Sequence, residues 1–160
     1  MRKAVLGALL FVSVFATPVW TLAQASGTRP DPALALVVAI ALRVAPAVGG
    51  AVGFGTGLMT AAATGWSPGA FMVSRTVVGF AVGYARRIVL GESVWVTLAA
   101  TCIASVVCDA FFSILNPRAT FEVWGVRALA GAGMNGVCAI PAHYLTRWAL
   151  GRQRLVFPRT

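Results

Sequence analysis

The feature that most constrains this chain is a series of long apolar runs with almost no charge inside them. The longest, residues 94–115, contains a single charged residue, Asp109. About 20 apolar residues in a helix cross the hydrocarbon core of a bilayer. Only 11% of the 160 residues are charged, against about 25% in a soluble domain. The sequence therefore indicates one integral membrane domain and excludes a soluble one.

Six apolar segments are separated by short turns that carry proline, glycine or charge. Proline and glycine cluster at residues 27–32, 65–69 and 116–117, which marks three of these turns. We therefore predict an all-α, polytopic membrane helical bundle with six transmembrane segments in a single domain, residues 1–160. The predicted segments are 4–25, 32–44, 48–63, 69–85, 94–115 and 129–150.

The short second segment decides the number of crossings. Its 13 residues rise only about 20 Å as a helix, against a core of about 30 Å. With six crossings and an inside N-terminus, nine of the 13 basic residues lie inside, three lie outside, and Arg75 lies within a span. If the second and third segments formed one crossing, four would lie inside and seven outside. The positive-inside rule favours six. The basic ends expected to face the cytoplasm are Arg86, Arg87, Arg147, Arg152 and Arg154.

The N-terminal segment has a second interpretation. Arg2 and Lys3, an apolar run and Ala23-Gln24-Ala25 before Ser26 fit a cleavable signal peptide. The run is also about long enough to span a bilayer, so we expect it to be retained as the first helix. Cleavage would leave five spans with the same orientation.

Several function classes lack the residues they require. The net charge of +9 is divided among short groups between the apolar segments, which is typical of topology determinants and not of a nucleic-acid surface. Cys102, Cys108 and Cys138 have no CxxC or Cys/His spacing for a metal. No nucleophile–base set and no phosphate-binding glycine loop is recognisable. We expect no catalytic residue, no cofactor and no metal site.

Glycines at four-residue spacing lie in the third and fourth segments. Gly49, Gly53 and Gly57 form a groove along the third segment, and Gly79 and Gly83 repeat the spacing on the fourth. Small residues allow the close backbone approach that membrane helices need for association. We expect internal helix packing here, with a seam for a partner helix as the alternative.

Three polar residues are predicted to share one depth within the bilayer. Arg75 and Asp109 each lie six residues, about 9 Å, from the outer end of their segments, and Asn135 lies about 12 Å in. Ionisable groups inside a span are costly and are usually paired or functional. We predict an intramembrane polar layer with an Arg75–Asp109 ion pair and Asn135 satisfying spare hydrogen-bonding groups. An architectural role, a small-ligand site and a partner contact all remain open.

A series of residues occurs in a distinctive order along the chain. They are Pro30-Asp31, Leu42-Arg43, Pro46, Gly49, Gly53, Gly57-Leu58, Pro68-Gly69, Gly79-Phe80, Gly83, Arg86-Arg87, Asp109, Asn135 and Pro141. Their order resembles the MreD family of bacterial rod shape-determining membrane proteins over about residues 30–150. The family often has an acidic residue at the end of its third helix, whereas residues 60–62 here are Thr, Ala and Ala, so no role of that carboxylate is transferred.

The resemblance implies a non-enzymatic inner-membrane component of the lateral wall-elongation assembly. Such a protein would lie beside a single-span MreC-like partner and help couple wall synthesis to the MreB cytoskeleton. The glycine groove and the polar layer would be candidate partner contacts, and the basic ends would face the cytoskeleton or anionic lipid. The alternative is a substrate-binding component of an energy-coupling-factor vitamin transporter, which is also small and six-helical and which the MreD family distantly resembles.

Overall fold

The chain folds into α-helices, as the sequence predicts. The computed structural model describes residues 2–23, 30–65, 67–86, 93–115 and 121–151, and these ranges contain six helices and no strand. Arg87, Arg152, Arg154, the candidate cleavage site after residue 25 and the turn residues 116–117 lie outside them. The helices are α1 Arg2–Ala23, α2 Pro32–Ala41, α3 Pro46–Thr64, α4 Pro68–Ala85, α5 Val94–Leu115 and α6 Phe121–Leu150.

Proline and glycine set several of the helix ends. Pro32, Pro46 and Pro68 each occupy the first turn of α2, α3 and α4, where no intrahelical amide hydrogen is needed. Gly65 ends α3 in the left-handed conformation, with a φ of 67° that costs glycine nothing. At the other end of the chain, α6 begins at Phe121, eight residues before the predicted start at residue 129.

Five helices form a closed ring around α2. Around the ring, α1 contacts α3, α3 contacts α4, α4 contacts α5, α5 contacts α6, and α6 contacts α1, while α2 contacts all five. The residues of α2 from Ala33 to Ala41 are all buried, with exposed fractions of 6% or less. Because ten residues rise only about 15 Å, α2 fills the middle of the ring and ends inside it.

The five glycines predicted to pack helices lie between α3 and α4. A Cβ on Gly49 would lie 2.5 Å from the Gly79 carbonyl oxygen, and one on Gly57 would lie 2.6 Å from the Phe71 carbonyl oxygen. Gly53 meets the Arg75 backbone in the same way, and Gly83 meets Pro46. α4 therefore occupies the groove on α3, which leaves no room for a partner helix at Gly49, Gly53, Gly57, Gly79 and Gly83.

Two of the described helices can cross a membrane by length and composition alone. They are Pro46–Thr64 and Val94–Leu115. The apolar stretches Ala4–Val14 and Pro32–Ala41 are shorter. Two such helices indicate membrane association.

Candidate functional site

Arg75 is held inside the ring by partners on three helices. It lies on α4 with 2% of its surface exposed, and its Nη2 forms an ion pair with the Asp31 carboxylate. Its Nη1 donates to the Thr60 hydroxyl of α3 at 2.7 Å. The guanidinium also lies 5.6 Å from the centre of the Phe71 ring, and the face of an aromatic ring attracts a cation. The positive charge is thus paired within the protein, as a buried charge requires.

Asp31 caps α2 and pairs with Arg75 at the same time. Its Oδ1 accepts a hydrogen bond from the Leu34 amide at 3.0 Å, and its Oδ2 faces Arg75. A carboxylate at a helix N-terminus also interacts favourably with the helix dipole. One side chain therefore fixes the start of the central helix and neutralises the buried guanidinium.

Asn135 joins this arrangement to α5 and α6. It is 3% exposed, its Oδ1 accepts the Asp31 backbone N–H, and its Nδ2 donates to the Ser105 hydroxyl at 2.8 Å. We call Asp31, Thr60, Arg75, Ser105 and Asn135 the Asp31 cluster. It connects α2 with α3, α4, α5 and α6, so it is a hydrogen-bonded junction of the ring.

The predicted Arg75–Asp109 ion pair is wrong, because Arg75 pairs with Asp31. Asp31 caps the start of α2 at the level of Arg75, so its carboxylate reaches the guanidinium. Asp109 instead faces α6, where its Oδ2 lies 4.0 Å from the Cβ position of Gly131. Asn135 does belong to a polar layer with Arg75, through Asp31. The sequence pattern of Asp followed by Pro at a helix start could have identified Asp31 as an N-cap.

A second polar cluster lies at the other end of α2. Arg43 is 6% exposed and its Nε donates to the Thr146 hydroxyl at 3.2 Å. His143 is 1% exposed, and its Nδ1 lies 2.8 Å from the Thr97 hydroxyl. We call Arg43, Thr97, His143 and Thr146 the Arg43 cluster. This cluster was not predicted from the sequence.

The two clusters attach α2 to α6 in parallel register. Asp31 contacts Asn135 at one end and Arg43 contacts Thr146 at the other. The two contacts are 12 residues apart in the segment of α2 and 11 residues apart in α6. The two segments therefore run side by side in the same direction over nearly equal lengths. α5 runs antiparallel to α6, since Ser105 contacts Asn135 and Thr97 contacts His143.

Exposed aromatic and basic side chains collect at the Arg43 end of the bundle. Helix directions bring the C-termini of α4 and α6 to the same end as the N-terminus of α5. Each of the aromatic residues there exposes half or more of its surface, while the basic residues are half-buried. These residues are Tyr84, Trp95, Tyr144, Trp148, Arg86 and Arg147.

The surface exposes many large apolar side chains, with Trp95 77% and Ile114 75% exposed. The interior contains polar side chains among the apolar ones, with Thr101 at 0% and Arg75 at 2%. Such an extended apolar surface requires an apolar environment or a partner.

No protein-family model, curated protein or solved structure matches the chain. Function must therefore be inferred from the residues and their arrangement. Among the described residues, no group of three or more His, Cys, Asp or Glu side chains could hold a metal ion. The hydrogen bonds of the Asp31 cluster join its own members and the helix backbones. The cluster therefore has the chemistry of a polar junction between helices.

Proposed function

We propose that this chain is a six-span protein of the cell inner membrane that serves the bacterial rod-shape complex of lateral cell-wall elongation. Both termini lie in the cytoplasm in this proposal. The chain acts without catalysis, by helix–helix contacts with an MreC-like single-span partner. In this role it resembles the MreD family.

The exposure of large apolar side chains around the ring is the observation that carries the membrane part of the proposal. An isolated soluble protein rarely exposes an apolar patch larger than a few hundred Å². Here large apolar side chains are exposed on all five helices of the ring, including Phe11 on α1, Phe54 on α3 and Phe80 on α4. Lipid tails accommodate such a surface on every side of a ring.

The short central helix is compatible with six crossings because it never meets lipid. Its ten residues are too few to span the core alone. Irregular backbone at membrane depth is tolerated where protein encloses it. The ring of five helices encloses α2, and the Asp31 and Arg43 clusters supply hydrogen bonds at its two ends.

The aromatic and basic residues at one end support the orientation. Tyr and Trp concentrate at membrane–water interfaces, and Arg and Lys concentrate on the cytoplasmic side. Tyr84, Trp95, Tyr144 and Trp148 lie at the same end as Arg86. We assign that end to the cytoplasm.

The residues that carry the resemblance to MreD have related structural roles in this fold. Asp31 and Asn135 bond each other, and Gly49 and Gly79 face each other across α3 and α4. Residues that lie far apart in the sequence and carry the resemblance are thus in contact in the fold, in two pairs. This supports a shared arrangement and a scaffold role.

Co-purification with the partner tests the proposal. The chain and the MreC-like protein of the same cell are co-expressed with different tags, extracted in mild detergent and purified through the tag on the chain. We expect the partner to be recovered, and depletion of the chain in a rod-shaped host to produce round cells. Recovery of no partner, with rod shape kept on depletion, would contradict the proposal.

The same preparation tests the alternative, a vitamin-transporter component. That function requires polar groups free to bind a substrate, whereas Arg75, Asp31 and Asn135 bond one another. A small metabolite detected by mass spectrometry in the purified protein, without an MreC-like partner, would favour the alternative.

A further inference from the structure

One side of α6 faces away from the ring over residues 126–148. Its residues recur every three or four positions and are all exposed, with Val126 at 72% and Val137 at 67%. The stripe runs over 23 residues, a rise of about 33 Å, which matches the thickness of a bilayer core of about 30 Å. We call it the α6 face, and it consists of Val126, Ala130, Gly133, Val137, Pro141, Tyr144 and Trp148.

Pro141 leaves a backbone acceptor on this face. It lies inside α6 and has no amide hydrogen, so the Val137 carbonyl lacks its helical donor. Val137 and Pro141 are both exposed, so this carbonyl lies on the outward side of the helix. In the α5–α6 register Val137 is level with Ile103, the tenth of 22 residues in α5. The acceptor is therefore near the middle of the membrane, where an unsatisfied carbonyl is costly.

Gly133 opens a notch one turn from this acceptor. It is exposed, and a Cβ built on it would meet nothing within 4 Å. It lies four residues, or about 6 Å, from Val137. A glycine at that distance lets the backbone of another helix approach closely enough for a side-chain donor to reach the carbonyl.

We infer that the α6 face docks the single transmembrane helix of the MreC-like partner, which bonds the Val137 carbonyl through a hydroxyl or amide side chain at mid-depth. The inference rests on the proposed function. Acyl chains have no hydrogen-bond donor, so lipid cannot satisfy this carbonyl. The stripe is as long as one membrane crossing, which fits a spanning helix better than a loop. The glycine groove of α3 is already filled by α4.

Gly133→Leu tests the notch. We expect it to lower recovery of the co-expressed, tagged partner about three- to tenfold, the loss that corresponds to one interhelical hydrogen bond and its close packing. Gly55→Leu on α3 is the matched control, because a Cβ there also meets nothing within 4 Å. It should leave recovery unchanged.

Pro141→Ala tests the acceptor with a readout that a folding defect would not produce. Alanine restores the amide hydrogen that Val137 lacks, so the chain should melt at the same temperature or higher. Recovery of the partner should nevertheless fall, because the carbonyl is now occupied. A fall in both quantities would overturn the acceptor role.

The outcomes separate this inference from the proposed function. If the wild-type chain recovers no partner, the proposed function fails. If it recovers the partner and neither Gly133→Leu nor Pro141→Ala lowers recovery, the function stands and the α6 face is the wrong surface. Equal losses of partner recovery from Gly133→Leu and Gly55→Leu would also show that the α6 face is not the docking surface. Self-association of the chain that Gly133→Leu abolishes would assign the face to a second copy.

Discussion

Asp31 and Arg75 form an ion pair across 44 residues of sequence, in which the Arg75 side chain is buried and the Asp31 side chain is 21% exposed. The carboxylate of the pair is also the N-cap of the central helix. The pair therefore connects the start of α2 to the middle of α4. Removing one partner of a buried pair leaves an uncompensated charge, which costs about 3–5 kcal/mol. The position of α2 thus depends on a contact that no local sequence pattern contains.

A double-mutant cycle measures this coupling. Arg75→Met and Asp31→Asn should each destabilise the detergent-solubilised chain by about 3 kcal/mol, and the double variant should lose much less than the sum. The cycle of Arg75→Met with Asp109→Asn should give a smaller coupling energy, because Arg75 forms its ion pair with Asp31. Stronger coupling of Arg75 to Asp109 than to Asp31 would contradict the structure. Reversible unfolding in mixed micelles gives the free energies.

The glycine interface predicts opposite effects of the same substitution at neighbouring positions. Gly53→Ala places a Cβ against the Arg75 backbone and should destabilise the chain by about 1–3 kcal/mol through overpacking. Gly55→Ala meets no atom within 4 Å and should be neutral, or stabilising by up to about 1 kcal/mol, since alanine favours helix. Thermal melting compares them. Equal losses at both positions would show that α3 and α4 do not meet along Gly53.

The Arg43 cluster predicts that the Thr146 hydroxyl matters more than its methyl group. Thr146→Val removes the acceptor of the buried Arg43 Nε and should cost about 1–3 kcal/mol. Thr146→Ser keeps the hydroxyl and should cost no more than about 1 kcal/mol for the lost methyl. The melting temperatures of both variants provide the comparison. If the serine variant is as unstable as the valine variant, the hydrogen bond between Arg43 and Thr146 does not stabilise the chain.

Helix content was predictable from the sequence because the length and apolarity of each run are local properties. The α3–α4 packing was also predictable, since Gly49, Gly53 and Gly57 recur every fourth residue and place three glycines on one side of a helix. In both cases the spacing along the chain determines the physical result.

The partner of Arg75 was not predictable by counting residues from helix ends. That count assumes that all helices begin at one membrane level, whereas α2 begins inside the ring and brings Asp31 to the depth of Arg75. The Arg43 cluster was missed for a related reason. Thr97, His143 and Thr146 lie in apolar runs with no distinctive spacing. The packing of α6 against the end of α2 brings Thr146 to Arg43, and the packing of α5 against α6 brings Thr97 to His143.

The central claim is that α2 crosses the membrane inside the ring, which places Ala45 and Gly69 on opposite sides. Both positions are exposed, and a Cβ at Gly69 meets nothing within 4 Å. Single cysteines are introduced at each in a variant whose Cys102, Cys108 and Cys138 are replaced by alanine. They are then treated with a membrane-impermeant maleimide in intact spheroplasts. We predict that Gly69→Cys reacts at once and that Ala45→Cys reacts only after lysis. Labelling of Ala45→Cys in intact spheroplasts would contradict the account.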